Sequence, residues 1–164
     1  GFGFGNTVDW PLFSQFLLLM LMVVGGSAGS TAGGLKVIRC LILARIGKNQ
    51  IRSTLSPNRV MTLHVNGTAL DKDTQHKILK YFVVYTLITI ALIVVVSFDS
   101  NNFMTVVSAV FSCFNNIGPM IGTTDTFAIF SPISKFLLSI AMIAGRLEIY
   151  PMLLLFMPRT WSDR

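Results

Sequence analysis

Residues 11–46 read PLFSQFLLLMLMVV, then GGSAGSTAGG, then LKVIRCLILARI: an apolar run, ten residues with no side chain larger than Thr, and a second apolar run that carries basic residues. The first run, Pro11 to Val24, opens on a proline, which a helix tolerates in its first turn. Its fourteen residues are too few to cross a bilayer, for which ~20 are needed. The small residues cannot sustain a regular helix against lipid, because each Gly weakens a helix by roughly 1 kcal/mol relative to Ala. Non-helical backbone at membrane depth survives only inside protein or beside water. The stretch therefore predicts one membrane crossing broken in its middle. Residues 25–34 would line a cavity with their carbonyls and with the hydroxyls of Ser27, Ser30 and Thr31. The competing use of such residues is close helix–helix packing of the GxxxG kind.

Composition supports a membrane setting. Of 164 residues, 52% are hydrophobic and 12% charged, against roughly 25% charged in ordinary globular domains, and the mean hydropathy is +0.68. A soluble body this small could not coat its surface with so few charges, and disorder, coiled coil and collagen are excluded by the same figures. Nine of the thirteen Lys and Arg lie between Lys36 and Lys80, where the only acids are Asp71 and Asp73. Clustering of this kind marks a cytoplasmic loop between spans. Residues 36–80 contain no Phe, Tyr or Trp, so nucleic acid is not expected as a partner. Cys40 and Cys113 are too few and too far apart for a disulfide framework or a metal knuckle.

The remaining spans follow from this anchor. Residues 47–77 form a polar loop, in which Asn66-Gly67-Thr68 matches a glycosylation acceptor by chance. Tyr81 to Ser97 is seventeen residues without a charge, extended inward by Ile78 and Leu79 past a snorkelling Lys80. Phe103 to Gly122 is moderately apolar and ends in Gly and Pro, which suits a re-entrant helix and loop. Phe136 to Met157 is apolar apart from Arg146 and Glu148. With 36–80 inside, residues 1–11 and 98–135 lie outside and the C-terminus is cytoplasmic. The opening GFGFG has neither an initiating Met nor a secretory pattern, so the chain is expected to be a piece of a longer one. Two tandem helix–loop–helix units point to internal pseudo-symmetry about the membrane normal.

Few residues offer chemistry. Gly29 to Gly34 has the spacing of a phosphate loop, but Leu35 stands where its lysine must follow, and GFGFG lacks the third glycine of a dinucleotide fingerprint. His64 and His76 both lie in the basic loop, and no paired carboxylates or Ser–His set supports catalysis, so no enzyme is expected. Arg146 is the sharpest single signal: ten residues into its segment, it sits ~15 Å along the helix, near the bilayer midplane. An arginine there costs at least ~2.5 kcal/mol and needs a protein partner or water. Glu148 projects from a different face, so the carbonyls of residues 25–34 become the expected partners. Two outer glycine loops, Gly1-Phe2-Gly3 and Asn116-Ile117-Gly118-Pro119, can present carbonyls to a dehydrated cation.

GGSAGSTAGGLKVIR (25–39), FNNIGP (114–119) and AGRLEIYPMLLLF (144–156), in this order, resemble the C-terminal half of TrkH-type subunits of the Trk/Ktr/HKT potassium-uptake superfamily. The resemblance covers nearly the whole chain and is weakest in loop 47–75. It implies an all-α integral membrane protein in which helix–pore-loop–helix repeats surround one K⁺ pathway with fourfold pseudo-symmetry. Residues 1–46 would end the third repeat and residues 47–77 would be the cytoplasmic basic loop. Residues 78–158 would form the fourth repeat, with outer helix 78–98, pore helix and filter 103–122 and inner helix 133–157. Residues 159–164 would be a cytoplasmic tail.

On the same resemblance, Gly1, Phe2, Asn116, Ile117 and Gly118 belong to the selectivity filter, with potassium at the carbonyls of Gly1, Asn116, Ile117 and Gly118. The gate comprises Gly25, Gly26, Ser27, Ala28, Gly29, Ser30, Thr31, Ala32, Gly33 and Gly34, with Arg146 as the basic residue that contacts it. Met120 departs from the smaller residue expected at its place. No cofactor is implied; K⁺ is cargo. The resemblance further implies the bacterial cytoplasmic (inner) membrane, a homodimer, and a cytosolic nucleotide-binding regulatory subunit of the TrkA type, although the basic region 39–77 equally suits anionic lipid headgroups. The rival reading is a secondary transporter of another fold with a substrate site at a broken helix.

Overall fold

The computed structural model describes residues 7–27, 29–30, 33–55, 64–65, 68–100, 102–122 and 126–147. These are α-helical apart from one short strand pair. Helix α1 (Leu12–Val24) ends where the small residues begin, and Gly25 closes it by donating to Leu21 O at 3.0 Å. The chain re-enters helix only at Val37, the start of α2 (Val37–Leu55). The break is a folded excursion. Leu35 N–H donates to Val23 O at 3.2 Å and Val37 N–H to Gly26 O at 3.1 Å, so the backbone returns to the end of α1 before α2 departs.

Two boundaries differ from the hydropathy reading. The expected polar loop 47–77 is helical at both ends: α2 runs on to Leu55, and α3 (Lys72–Val96) begins six residues before the expected 78. Hydropathy marks where the bilayer ends, not where a helix ends, and Lys48, Gln50, Arg52, Lys72, Gln75 and Lys77 are good helix formers in water. Asp71 at the N-cap position and Asp73 in the first turn suit a helix start. Between the helices, β1 (His64–Val65) pairs antiparallel with β2 (Thr68–Ala69), His64 opposite Ala69, across the Asn-Gly positions 66–67. That is the spacing of a two-residue hairpin, where the hydropathy reading has only loop.

At 25 residues α3 is ~38 Å long, more than the ~30 Å hydrocarbon core, and among the described residues it is the one helix both long and apolar enough to cross. Only 17% of its apolar window is buried among the described residues. Phe82, Val83, Leu87, Ile90 and Val94 face outward, as lipid contact requires.

Helix α4 (Phe103–Phe114) is the hub. Asn102 caps it, its side chain accepting from Met104 N–H at 3.1 Å, and its residues 105–110 and 112–114 are buried. It packs against α1, α3 and α5 (Pro132–Leu147). Its twelve residues cannot cross a bilayer, and a loop follows it. Val96, Val106, Ala109, Val110 and Leu138 form the core between α3, α4 and α5. Met120, the departure noted in the sequence, packs on this cluster. Residues 148–164, which include Glu148, the expected end of the inner helix and the C-terminal tail, lie outside the described residues.

Candidate functional site: the loop after α4 and the broken segment

The loop after α4 turns sharply at Asn116, whose φ of 54° lies in the left-handed region that Asn tolerates better than most residues. Its amides are spent on α4. Ile117 N–H donates to Ser112 O at 2.9 Å, Gly118 N–H to Ser112 Oγ at 3.1 Å, and Ile121 N–H to Ser108 Oγ. Ser108 and Ser112 stand four residues apart, hence on one face of the helix. Among the described residues, no donor is bonded to the carbonyls of Asn116, Ile117 or Gly118. A loop with its N–H groups turned to the scaffold and its carbonyls unspent can offer oxygens to a cation. Gly118 also borders a cavity of about 250 Å³, which Lys135, Ser139 and Met142 of α5 help to line. Among the described residues no three His, Cys, Asp or Glu gather as metal ligands.

The loop is pinned on its other sides too. Asn116 Nδ2 donates to Met142 O at 3.0 Å, and Gly122 N–H to Thr7 Oγ1 at 3.0 Å. Gln15, buried in α1, donates through Nε2 to the carbonyls of Thr7, Val8 and Trp10 at 3.0–3.2 Å. This fixes the chain that follows the first glycine loop. Gly145 lets α5 approach so closely that a methyl group there would overlap the Phe114 carbonyl.

Of the expected gate residues, Gly25, Gly26, Ser27, Gly29, Ser30, Gly33 and Gly34 are described, and all lie in the break between α1 and α2. Ala28, Thr31 and Ala32, together with the expected filter residues Gly1 and Phe2, lie outside the described residues. The segment reaches the loop after α4 directly: Gly33 N–H donates to Asn115 O at 3.1 Å. A Cβ on Gly33 would stand 2.8 Å from that oxygen, so only glycine fits. Arg146 occupies the last turn of α5 with its side chain exposed, and among the described residues none accepts a hydrogen bond from it. The described polar partner of the broken segment is thus Asn115, which the sequence offered only inside the FNNIGP motif. Arg39 of α2 lies over the Tyr81 ring at 4.2 Å, beside a basic cavity that Lys77 and Lys80 also line. Just beyond the C-terminal end of α3, hydrogen bonds from Ser134 and Ser131 hold the Asp99 carboxyl below its usual value of 3.8.

Ser108, Ser112, Thr7, Gln15 and Asn115 were not singled out by sequence. The i,i+4 serines on an otherwise apolar helix were the available signal. The others act through partners distant in the chain.

The family profile described as TrkH, cation transport protein, matches residues 1–163. The Trk system potassium uptake protein TrkH of Salmonella typhimurium is 35% identical over 165 residues, covering 99% of this chain and 34% of that protein. TrkG of Escherichia coli K12, also named a Trk system potassium uptake protein, is 35% identical over 156 residues, or 94% of this chain and 32% of its own. The crystal structure of the potassium transporter TrkH from Vibrio parahaemolyticus superposes with a TM-score of 0.88 at 34% identity, over 99% of this chain and 35% of that one. The chain spans about a third of the length of the relatives it matches.

Proposed function

The chain belongs to the TrkH family of cation transport proteins, and on that basis we propose that it supplies part of a potassium-uptake pore in the bacterial cytoplasmic membrane. The carrying observation is the loop 116–118, whose N–H groups are bonded to α4 while its carbonyls stay available among the described residues. K⁺ sheds its water against those carbonyls and, in the same reading, against those of Gly1. Below them the broken segment 25–34 obstructs the pathway, and Arg146 holds it in place from α5. The location of the break between α1, whose thirteen residues cannot span the bilayer, and α2, which carries Arg39, Arg45, Lys48 and Arg52, supports this role.

The same reading makes the subunit a multi-pass homodimer regulated by a cytosolic nucleotide-binding partner of the TrkA type. The cations of α2 and α3 around Arg39, Lys77 and Lys80 suit a surface on the cytoplasmic side.

The test is ⁸⁶Rb⁺ uptake by the subunit containing this chain, reconstituted in liposomes. Uptake competed by K⁺ far better than by Na⁺, with no organic substrate required, is the expected result. Flux that depends on an organic solute would overturn the reading in favour of a broken-helix substrate site.

A further inference from the structure

Phe114, Asn115 and Asn116 are consecutive, yet they touch three other elements. The Phe114 ring stacks on Tyr85 of α3 at 5.1 Å between centroids, and the Phe114 carbonyl abuts Gly145 of α5. Asn115 O accepts from Gly33 N–H at 3.1 Å, and Asn115 Oδ1 accepts from Tyr85 Oη–H at 2.9 Å. A Cβ on Gly34 would lie 3.4 Å from that Oδ1, so the side-chain amide rests against the broken segment. Asn115 has 0% exposure, and its Nδ2 has no hydrogen-bond partner among the described residues.

A buried amide donor without an acceptor is disfavoured, and groups of this kind in a native protein mark stored strain, a functional role or a bound water or ion. This donor sits one residue before the turn at Asn116 and within contact of Gly34. We propose that Asn115 is a positioning residue that couples the intramembrane segment to the filter loop. When residues 33–34 move, Gly33 N–H leaves Asn115 O, the amide swings to recover an acceptor, and the shift passes through Asn116 to Ile117 and Gly118. Ion flux and ion discrimination then change together, because one residue bonds both parts. This inference rests on reading 116–118 as filter and 25–34 as gate.

The experiment compares Asn115→Leu, Tyr85→Phe and their double variant in the liposome-reconstituted subunit, measuring ⁸⁶Rb⁺ flux and its competition by Na⁺. Tyr85→Phe keeps the stacked ring and removes only the hydroxyl donor. It is expected to raise flux and lower the Rb⁺/Na⁺ preference, each roughly fivefold, the worth of about one net hydrogen bond. Asn115→Leu acts in the same direction, and the double variant is no worse than Asn115→Leu alone, because the bond is already lost. Where Asn115→Leu does not yield folded protein, Tyr85→Phe decides. Both quantities at wild-type values, or a change in only one of them, overturns the coupling. Loss of Rb⁺ preference in the unaltered subunit would instead bring down the filter reading itself.

Discussion

Thr7 Oγ1 accepts the backbone N–H of Gly122 at 3.0 Å, joining two loops separated by 115 positions in the chain. Gln15 fixes Thr7 from the other side through its carbonyl. The chain that follows the first glycine loop and the exit from the second are therefore one hydrogen-bonded unit, with α1 as its brace.

Thr7→Val keeps the shape of the side chain and removes the acceptor, leaving Gly122 N–H without its partner. The expected cost is ~1–3 kcal/mol. A lowered melting temperature in detergent should appear, and Thr7→Ser should recover most of it. Equal melting of Thr7→Val and wild type would show that the two loops are held by packing alone.

Ser112 accepts from both Ile117 N–H and Gly118 N–H, the first through its backbone and the second through its hydroxyl. Ser112→Ala removes only the second bond. The loop loses one anchor at Gly118 and should discriminate Rb⁺ from Na⁺ less well, by a factor of about 5–10 for ~1–1.4 kcal/mol of lost positioning. The measurement is Na⁺ competition against ⁸⁶Rb⁺ uptake at matched protein level; an unchanged ratio would remove the hydroxyl from the filter's support.

The break at 25–34 could be read from sequence because composition alone forbids a lipid-facing helix there. The short helix α4 was legible for a similar reason, being an apolar stretch too short to cross and followed by Gly and Pro. The ends of α2 and α3 were not, since polar helix formers such as Lys48, Arg52 and Lys72 continue a helix into water without any hydropathy signal. At the site, Asn116, Ile117 and Gly118 stood out by residue type. Asn115 did not, because its role comes from Gly33 and Tyr85, which only the folded chain brings to it.

Asp99 accepts from Ser131 N–H at 2.9 Å at the start of α5, and bonds from Ser134 and Ser131 lower its pKa. A folded-state pKa below the unfolded one means that the ionised carboxylate stabilises the fold. That contribution is complete above the unfolded value near 3.8 and is lost as pH falls through the lower folded value. Asp99→Asn should therefore melt below wild type at neutral pH, and the two should converge only under strongly acidic conditions. Parallel melting curves at every pH would contradict the assignment.

Arg146 lies in the last turn of α5 with its side chain exposed, one residue from the close approach of Gly145 to Phe114. On the gating reading proposed above, Arg146 sits near the bilayer midplane, where such a group must be held by protein or water, and the carbonyls of residues 25–34 are what it holds. Removing the guanidinium withdraws the hold, so Arg146→Ala should raise ⁸⁶Rb⁺ flux, while Arg146→Lys, which keeps the charge but not the forked donors, should fall between. Shortening Gly25–Gly34 should act in the same direction as Arg146→Ala. On that reading both changes release the same hold, so combining them should add little to either alone. Flux at or below wild type in well-folded Arg146→Ala, or fully additive effects in the combination, would separate the arginine from the segment and assign the small residues to helix packing.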